Sequence, residues 1–168
     1  MMTGLFRDRE STESAYRSLR DRGYTDDDIN VMMSDDTRNK YYKHSDVIPD
    51  DDTKALEGAG VGGAVGGALG AIIGGIAAIG TNVLLPGLGL VVWGPIAAAL
   101  AGAGAGGATG GLVGALIGWG IPEEHAKHYE EGIRNGGAVI GVTPRTDDDA
   151  SYFDNQWRTN YKGEYIYR

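Results

Sequence analysis

The stretch GAGVGGAVGGALGAIIGGIAAIG (58–80), with its echo IAAALAGAGAGGATGGLVGALIGWG (96–120), decides how the rest of the chain is read. No Asp, Glu, Lys or Arg occurs between Gly58 and Pro122, and 22 of the 29 glycines of this 168-residue chain fall there. Gly62, Gly66, Gly70 and Gly74 recur every fourth residue; Ala98, Gly102, Gly106, Gly110, Gly114 and Gly118 repeat the spacing. Residues four apart share one helix face. Rows of small residues let two helix backbones approach closely, the small-xxx-small pattern of membrane helices. GGAVGGALGAIIGG (62–75) aligns without gaps with GGATGGLVGALIGW (106–119), identical at nine of fourteen positions. The match reads either as two equivalent helices packing through equivalent faces or as shared low-complexity composition.

An interior glycine costs a helix about 1 kcal/mol relative to alanine. With ten glycines in 58–80 and nine in 96–120, neither segment persists as an isolated helix in water. A bilayer offsets the penalty by making every unpaired backbone group costly; a soluble oligomer offsets it by burial. Both segments reach the roughly 20 residues a span requires. Residues 81–95 (TNVLLPGLGLVVWGP) interrupt them with Pro86, Gly87, Gly89, Gly94 and Pro95 and are expected to form the far turn of the hairpin. Pro95 suits the start of the second helix. Trp93 and Trp119 lie near segment ends, where interfacial tryptophans are common.

The flanks are polar. The net charge of −8 and pI near 4.8 argue against a nucleic-acid partner, which needs a basic surface. The absence of cysteine excludes disulfides and thiolate sites. The start, MMTGLFRDRESTESAY, is charged where a secretory signal needs an apolar core, so the termini are expected in the cytosol.

Residues 1–6 read as a strand, Thr12–Arg22 as a helix capped by Ser11 and stopped by Gly23, and Ile29–Met33 as a second strand. Ser34–Asp52 reads as a loop or linker. After Pro122, EEHAKHYEEGIRNGG reads as an amphipathic helix stopped at Gly136, and 137–143 as a strand. The order β-α-β…α-β implies an α+β fold with a small layer of ferredoxin-like type and an inserted two-helix glycine-zipper hairpin. The corresponding divisions are 1–50 (β-α-β half and linker), 51–122 (hairpin), 123–146 (α-β half completing the layer) and 147–168 (aromatic tail).

The segments LFRDRESTESAYRSLRDRGYTDDDINVMM, the glycine–alanine hairpin and IPEEHAKHYEEGIRNGGAVIGV together resemble bacterial general stress proteins of the heat-induced type that carry a glycine-zipper insert. The tail FDNQWRTNYKGEY looks like an aromatic motif found on related stress proteins. The resemblance implies a role in stress survival and brings no catalytic residues. It also implies a second amphipathic helix completing the layer, where this chain has its aromatic tail.

No catalytic or cofactor motif stands out. His125 and His128, with Glu124, have helical metal-ligand spacing but read as a solvated face, and His44 lacks an evident partner. Asp26–Asp28, Asp50–Asp52 and Asp147–Asp149 lack the spacing of a calcium loop and read as capping and solubility devices. The glycines continue too far for a dinucleotide fingerprint, and no phosphate-loop lysine follows. Phe153, Trp157, Tyr161 and Tyr165 lie four apart and are expected to dock on the protein's own sheet or on a neighbouring subunit. Gly62, Gly66, Gly70, Gly74, Gly102, Gly106, Gly110, Gly114 and Gly118 are the expected packing and oligomerisation residues. The expected function is non-enzymatic: a self-associating stress protein whose hairpin enters or remodels a membrane, with lipid and its own copies as partners. The alternative is a soluble shell, ring or filament packed through the same hairpin.

Overall fold

The computed structural model describes residues 1–41, 82–85, 89–97 and 106–168, with only the backbone described for 82–85 and 106–110. The fold is α+β. In chain order the elements are β1 (Met2–Phe6), α1 (Arg9–Asp21), β2 (Ile29–Ser34), α2 (Asp35–Tyr41), β3 (Asn82–Leu85), β4 (Leu90–Trp93), α3 (Gly106–Gly118), α4 (Glu123–Arg134), β5 (Ala138–Val142), α5 (Asp147–Thr159) and β6 (Glu164–Tyr167). The strands form one sheet in the order β3-β4-β2-β5-β1-β6. Every pairing is antiparallel, so β1 and β2, which flank β5, run parallel to each other.

Strict alternation builds two cores, one on each face of the sheet. Met2, Phe6, Ile29, Val31, Met33, Val91, Trp93, Ile140 and Val142 face α1 and α5, where they meet Tyr16, Leu19, Phe153 and Trp157. Leu5, Met32, Leu90, Val92 and Val139 face the other way, onto Leu112, Leu116, Tyr129 and Ile133 of α3 and α4. A sheet covered on both sides needs apolar residues at successive positions, which is why INVMM and AVIGV read as unbroken runs rather than alternating ones.

Glycine ends three of the helices. Gly23, Gly120 and Gly136 each take positive φ, and the next amide bonds back five residues, as Tyr24 N does to Leu19 O at 3.1 Å and Gly137 N to Gly132 O at 2.9 Å. The stops expected at Gly23 and Gly136 are therefore in place. The start of α1 differs: Asp8, not Ser11, is the cap, and its carboxylate accepts from Ser11 N at 2.8 Å. Both residues are good caps, but the chain leaves β1 early enough for the helix to begin three residues sooner.

Three further expectations are corrected. The segment after Ser34 is not all linker, because Ser34 Oγ accepts from Thr37 N at 3.1 Å and opens α2. Residues 81–95 do not form a far turn. NVLL and LVVW become β3 and β4, and β4 pairs with β2 from Val31↔Trp93 to Ser34↔Leu90. Two β-prone runs pair antiparallel with each other, and the apolar side of β2 supplies the next partner. Residues 147–168 are α5 and β6, not a tail beyond the layer. Thr146 caps α5, accepting from Asp149 N at 3.1 Å, and β6 pairs with β1. The α-β unit completing the four-strand block β2-β5-β1-β6 is thus α5–β6, while α4, expected in that role, packs on the opposite face.

The second glycine segment is also not one helix from 96 to 120. A helical turn opens at Pro95 (95–97), and α3 breaks at Gly111 (φ 62°, ψ −161°), a conformation open essentially to glycine alone. Ile96, Ala97, Leu112 and Leu116 are buried on the sheet. Among the described residues no helix is long and apolar enough to cross a membrane. Helix 53–80, with Gly62, Gly66, Gly70 and Gly74, and also Gly102, lies outside the described residues.

Two indoles lie directly on strand glycines. A Cβ on Gly4 would stand 3.0 Å from Trp157 Cε3, and one on Gly141 would stand 2.6 Å from Trp119 Cη2. Trp93 is 1% exposed inside the sheet. The two tryptophans expected at a membrane interface are therefore core and sheet-packing residues.

Glycine substitutions should rank accordingly in urea unfolding. Gly141→Ala displaces Trp119 and is expected to cost about 1–3 kcal/mol. Gly94→Ala should cost more, because Gly94 has φ 94° and its Cβ would strike the Ile29 carbonyl. Gly114→Ala, with nothing within 4 Å, should be neutral or stabilising by up to about 1 kcal/mol.

A polar clamp ties α5 to the α1–β2 connection. Tyr24 Oη donates to Asp149 Oδ2 at 2.8 Å and accepts from Arg145 N at 2.7 Å. Arg22 Nε donates to Asp149 Oδ1 at 2.8 Å, and Arg145 Nη2 to Asp28 Oδ2 at 2.8 Å. The Tyr24 hydroxyl, then Arg22, hold the Asp149 carboxyl below its ordinary range; Thr25, through its amide and hydroxyl, and then Arg145 do the same for Asp28. A carboxyl with a folded-state pKa below its unfolded value stabilises the fold above that unfolded value, about 4, and loses this as pH falls through the folded value. The melting temperature should therefore drop on acidification below about pH 4. Asp149→Asn should flatten that drop and lower the melting temperature at pH 7.

Candidate self-association face

The uncharged helix α3 presents two unlike sides. Leu112 and Leu116, at 4% and 0% exposure, are driven onto Met32, Val92 and Val139 by apolar burial, and Ala115 is buried at 3%. Gly114, Ile117 and Gly118, spaced i, i+3, i+4, share the other side. A Cβ added at Gly114 or Gly118 would meet nothing within 4 Å, and Ile117 is 44% exposed. Gly106 and Gly110 precede the break at Gly111, so helical spacing does not extend this side to them. Among the described residues nothing lies against this side.

The conformation of α3 is set by what surrounds it. Its C-terminus is locked where Ile121 N bonds Leu116 O at 3.1 Å, and Trp119 then folds down onto Gly141. Its buried leucines fix its rotation, and that rotation turns the glycine row outward. Such a surface binds by close backbone approach rather than by charge or hydrogen bonding.

The other expected residues fall into two groups. Phe153 and Trp157 are fully buried on α5. Phe153 packs edge-on to Tyr24 with centroids 5.4 Å apart, as Trp157 does to Phe6 at 5.3 Å. Tyr161 is half-buried against the same core. Docking of this stripe on the protein's own sheet is thus the arrangement seen for these three. Tyr165 goes elsewhere: at φ 48°, where β6 bulges against β1, its ring stacks on His128 at 4.0 Å, nearly parallel. The Tyr129 hydroxyl donates to Tyr165 O at 2.6 Å and bonds Thr3 Oγ1 at 2.9 Å; burial pushes its pKa up to about 12.

His125 and His128 both lie beside aromatic rings. Their rings turn to β6, His125 lying 5.4 Å from Tyr167 and 6.3 Å from Tyr129. Among the described residues no three potential metal ligands cluster. The acidic residues serve local structure: Asp26 accepts from Tyr16 Oη at 2.6 Å and Arg20 Nη1 at 3.1 Å, and Asp147–Asp149 occupy the first turn of α5, where the helix dipole favours them. His44 and Asp50–Asp52 lie outside the described residues.

Sequence periodicity identifies the glycine row but not its direction. That depends on Leu90 and Val92 of β4 and on Gly141, none of which lies in the repeat. Comparison of the chain with protein-family models, with curated proteins and with solved structures finds no match in any of the three.

Proposed function

We propose that this chain is a non-enzymatic, self-associating structural protein, assembled between copies through the outward glycine side of α3. The observation that carries the reading is the side formed by Gly114, Ile117 and Gly118: uncharged, backbone-deep at two positions and uncovered by any described residue. A second copy fits it because a row of glycines is best filled by another such row. The role in stress survival rests on the resemblance of 5–33 and 121–142 to the heat-induced stress proteins. In the same reading, β1–α1–β2 and β5–α5–β6 are the two halves of a ferredoxin-like layer, with residues 35–137 inserted between them.

A soluble assembly is favoured over a membrane-spanning hairpin. Tyr41 and Asn82 both belong to the folded body, with 40 residues between them. Two spans of about 20 residues would use all of them, including the charged run before Gly58. Ile96, Ala97, Leu112 and Leu116, within the second proposed span, are buried against the sheet, which supports this reading. Peripheral contact with lipid is the second reading, favoured by the 23 uncharged residues 58–80.

Light scattering on the purified chain in detergent-free buffer should give a mass well above 17.7 kDa. Gly114→Leu should reduce that mass while leaving the melting temperature of the protomer unchanged or higher. An unchanged mass with a lower melting temperature would mean that this chain's own residues 58–80 cover α3, which overturns assembly through this face. Flotation with lipid vesicles only, with a monomer otherwise, would establish the lipid reading instead.

A further inference from the structure

At the sheet end where β1 and β2 finish and β5 begins, three cations from separate elements converge. Arg7 follows β1, Lys40 lies in the last turn of α2, and Arg134 ends α4. Together with Ser34, Asp36 and Asn135 they border an open groove of about 610 Å3. A second cavity of about 200 Å3 adjoins it, sharing Ser34 and Arg134. The dimensions suit a small molecule. Asp36 is the single carboxylate in the lining itself; Glu164 and Glu130, which pair with two of the three cations, lie outside it.

The three cations are available to a ligand. Arg7 donates through Nε to Glu164 at 2.8 Å, with both side chains about two-fifths exposed. Arg134 holds Glu130 at 2.8 Å and is 72% exposed. Exposed pairs of this kind contribute about 0–1 kcal/mol, so exchanging Glu164 or Glu130 for a stronger anion costs little. The Arg7 Nη groups have no partner among the described residues. Lys40 Nζ faces the Tyr41 ring at 4.9 Å and makes no ion pair among them. Two guanidinium forks and an ammonium, with the Asn135 amide and Ser34 hydroxyl alongside, match the many-acceptor geometry of a phosphoryl group better than a lone carboxylate.

We propose that this groove binds a phosphate-bearing small molecule through Arg7, Lys40 and Arg134. The site uses neither the outward side of α3 nor its partner, so it stands or falls apart from self-association.

Isothermal titration of the full chain with inorganic pyrophosphate at low salt tests it. The expected result is binding with Kd of about 1 mM or tighter, weakened by added salt and by Lys40→Gln, which breaks no ion pair, about tenfold. Arg134→Gln should act likewise, and circular dichroism should show both variants folded. Lys162→Gln, outside the lining, should leave the affinity unchanged. No heat up to about 10 mM pyrophosphate, a range far weaker than typical specific sites, would overturn the proposal. So would equal weakening by Lys162→Gln, or binding of a single-stranded oligonucleotide with no response to pyrophosphate.

Discussion

Two indole rings close on the sheet from opposite sides, at glycines one register step apart. Gly4 of β1 lies opposite Ile140, and Gly141 of β5 lies opposite Thr3. Trp157 covers the first and Trp119 the second. A sheet buried on both faces must keep its covering helices about 10 Å away, and a ring that reaches the strand backbone needs a position without a side chain. These two contacts fix where α5 and the end of α3 sit. Everything else in the core, from Tyr16 to Tyr129, packs in the space they leave.

That geometry explains why a helix so rich in glycine is stable here. The leucines of α3 gain by burial on Met32 and Val92, Trp119 anchors its end, and the cost of its glycines is met on the inward side alone. The outward side makes no contribution to the described fold, which leaves it free to do something else. Glycine thus serves three separate needs in one chain: it receives rings on the strands, reverses the chain after helices, and leaves one side of α3 without a neighbour among the described residues.

Much of the fold was legible. β1, β2, β5, α1 and α4 follow from apolar runs, helical periodicity and glycine stops, all of which are local signals. The α+β class follows from their order. What was missed depends on non-local partners. NVLL and LVVW look like loop when read as the break between two glycine helices; they become strands because β2 has an open apolar edge. DDDASYFDNQWRT has both a Thr cap and a buried Phe153–Trp157 pair, but Gly163 and the expectation of a tail obscured a helix that ends before that glycine. Of the candidate site, the residues of the row were legible and their outward direction was not, because rotation of α3 is set by contacts with distant strands.

β1 pairs on both sides with strands made far later in the chain: Met2 faces Val142, and Thr3 faces Tyr167. During synthesis β1 and β2 emerge before β5 and stand apart, since the strand that separates them is made more than a hundred residues later. Contacts this distant in sequence are slow to form. The uncharged glycine stretch therefore leaves the ribosome before the sheet that covers α3 exists, and for that interval its apolar residues are open to other chains.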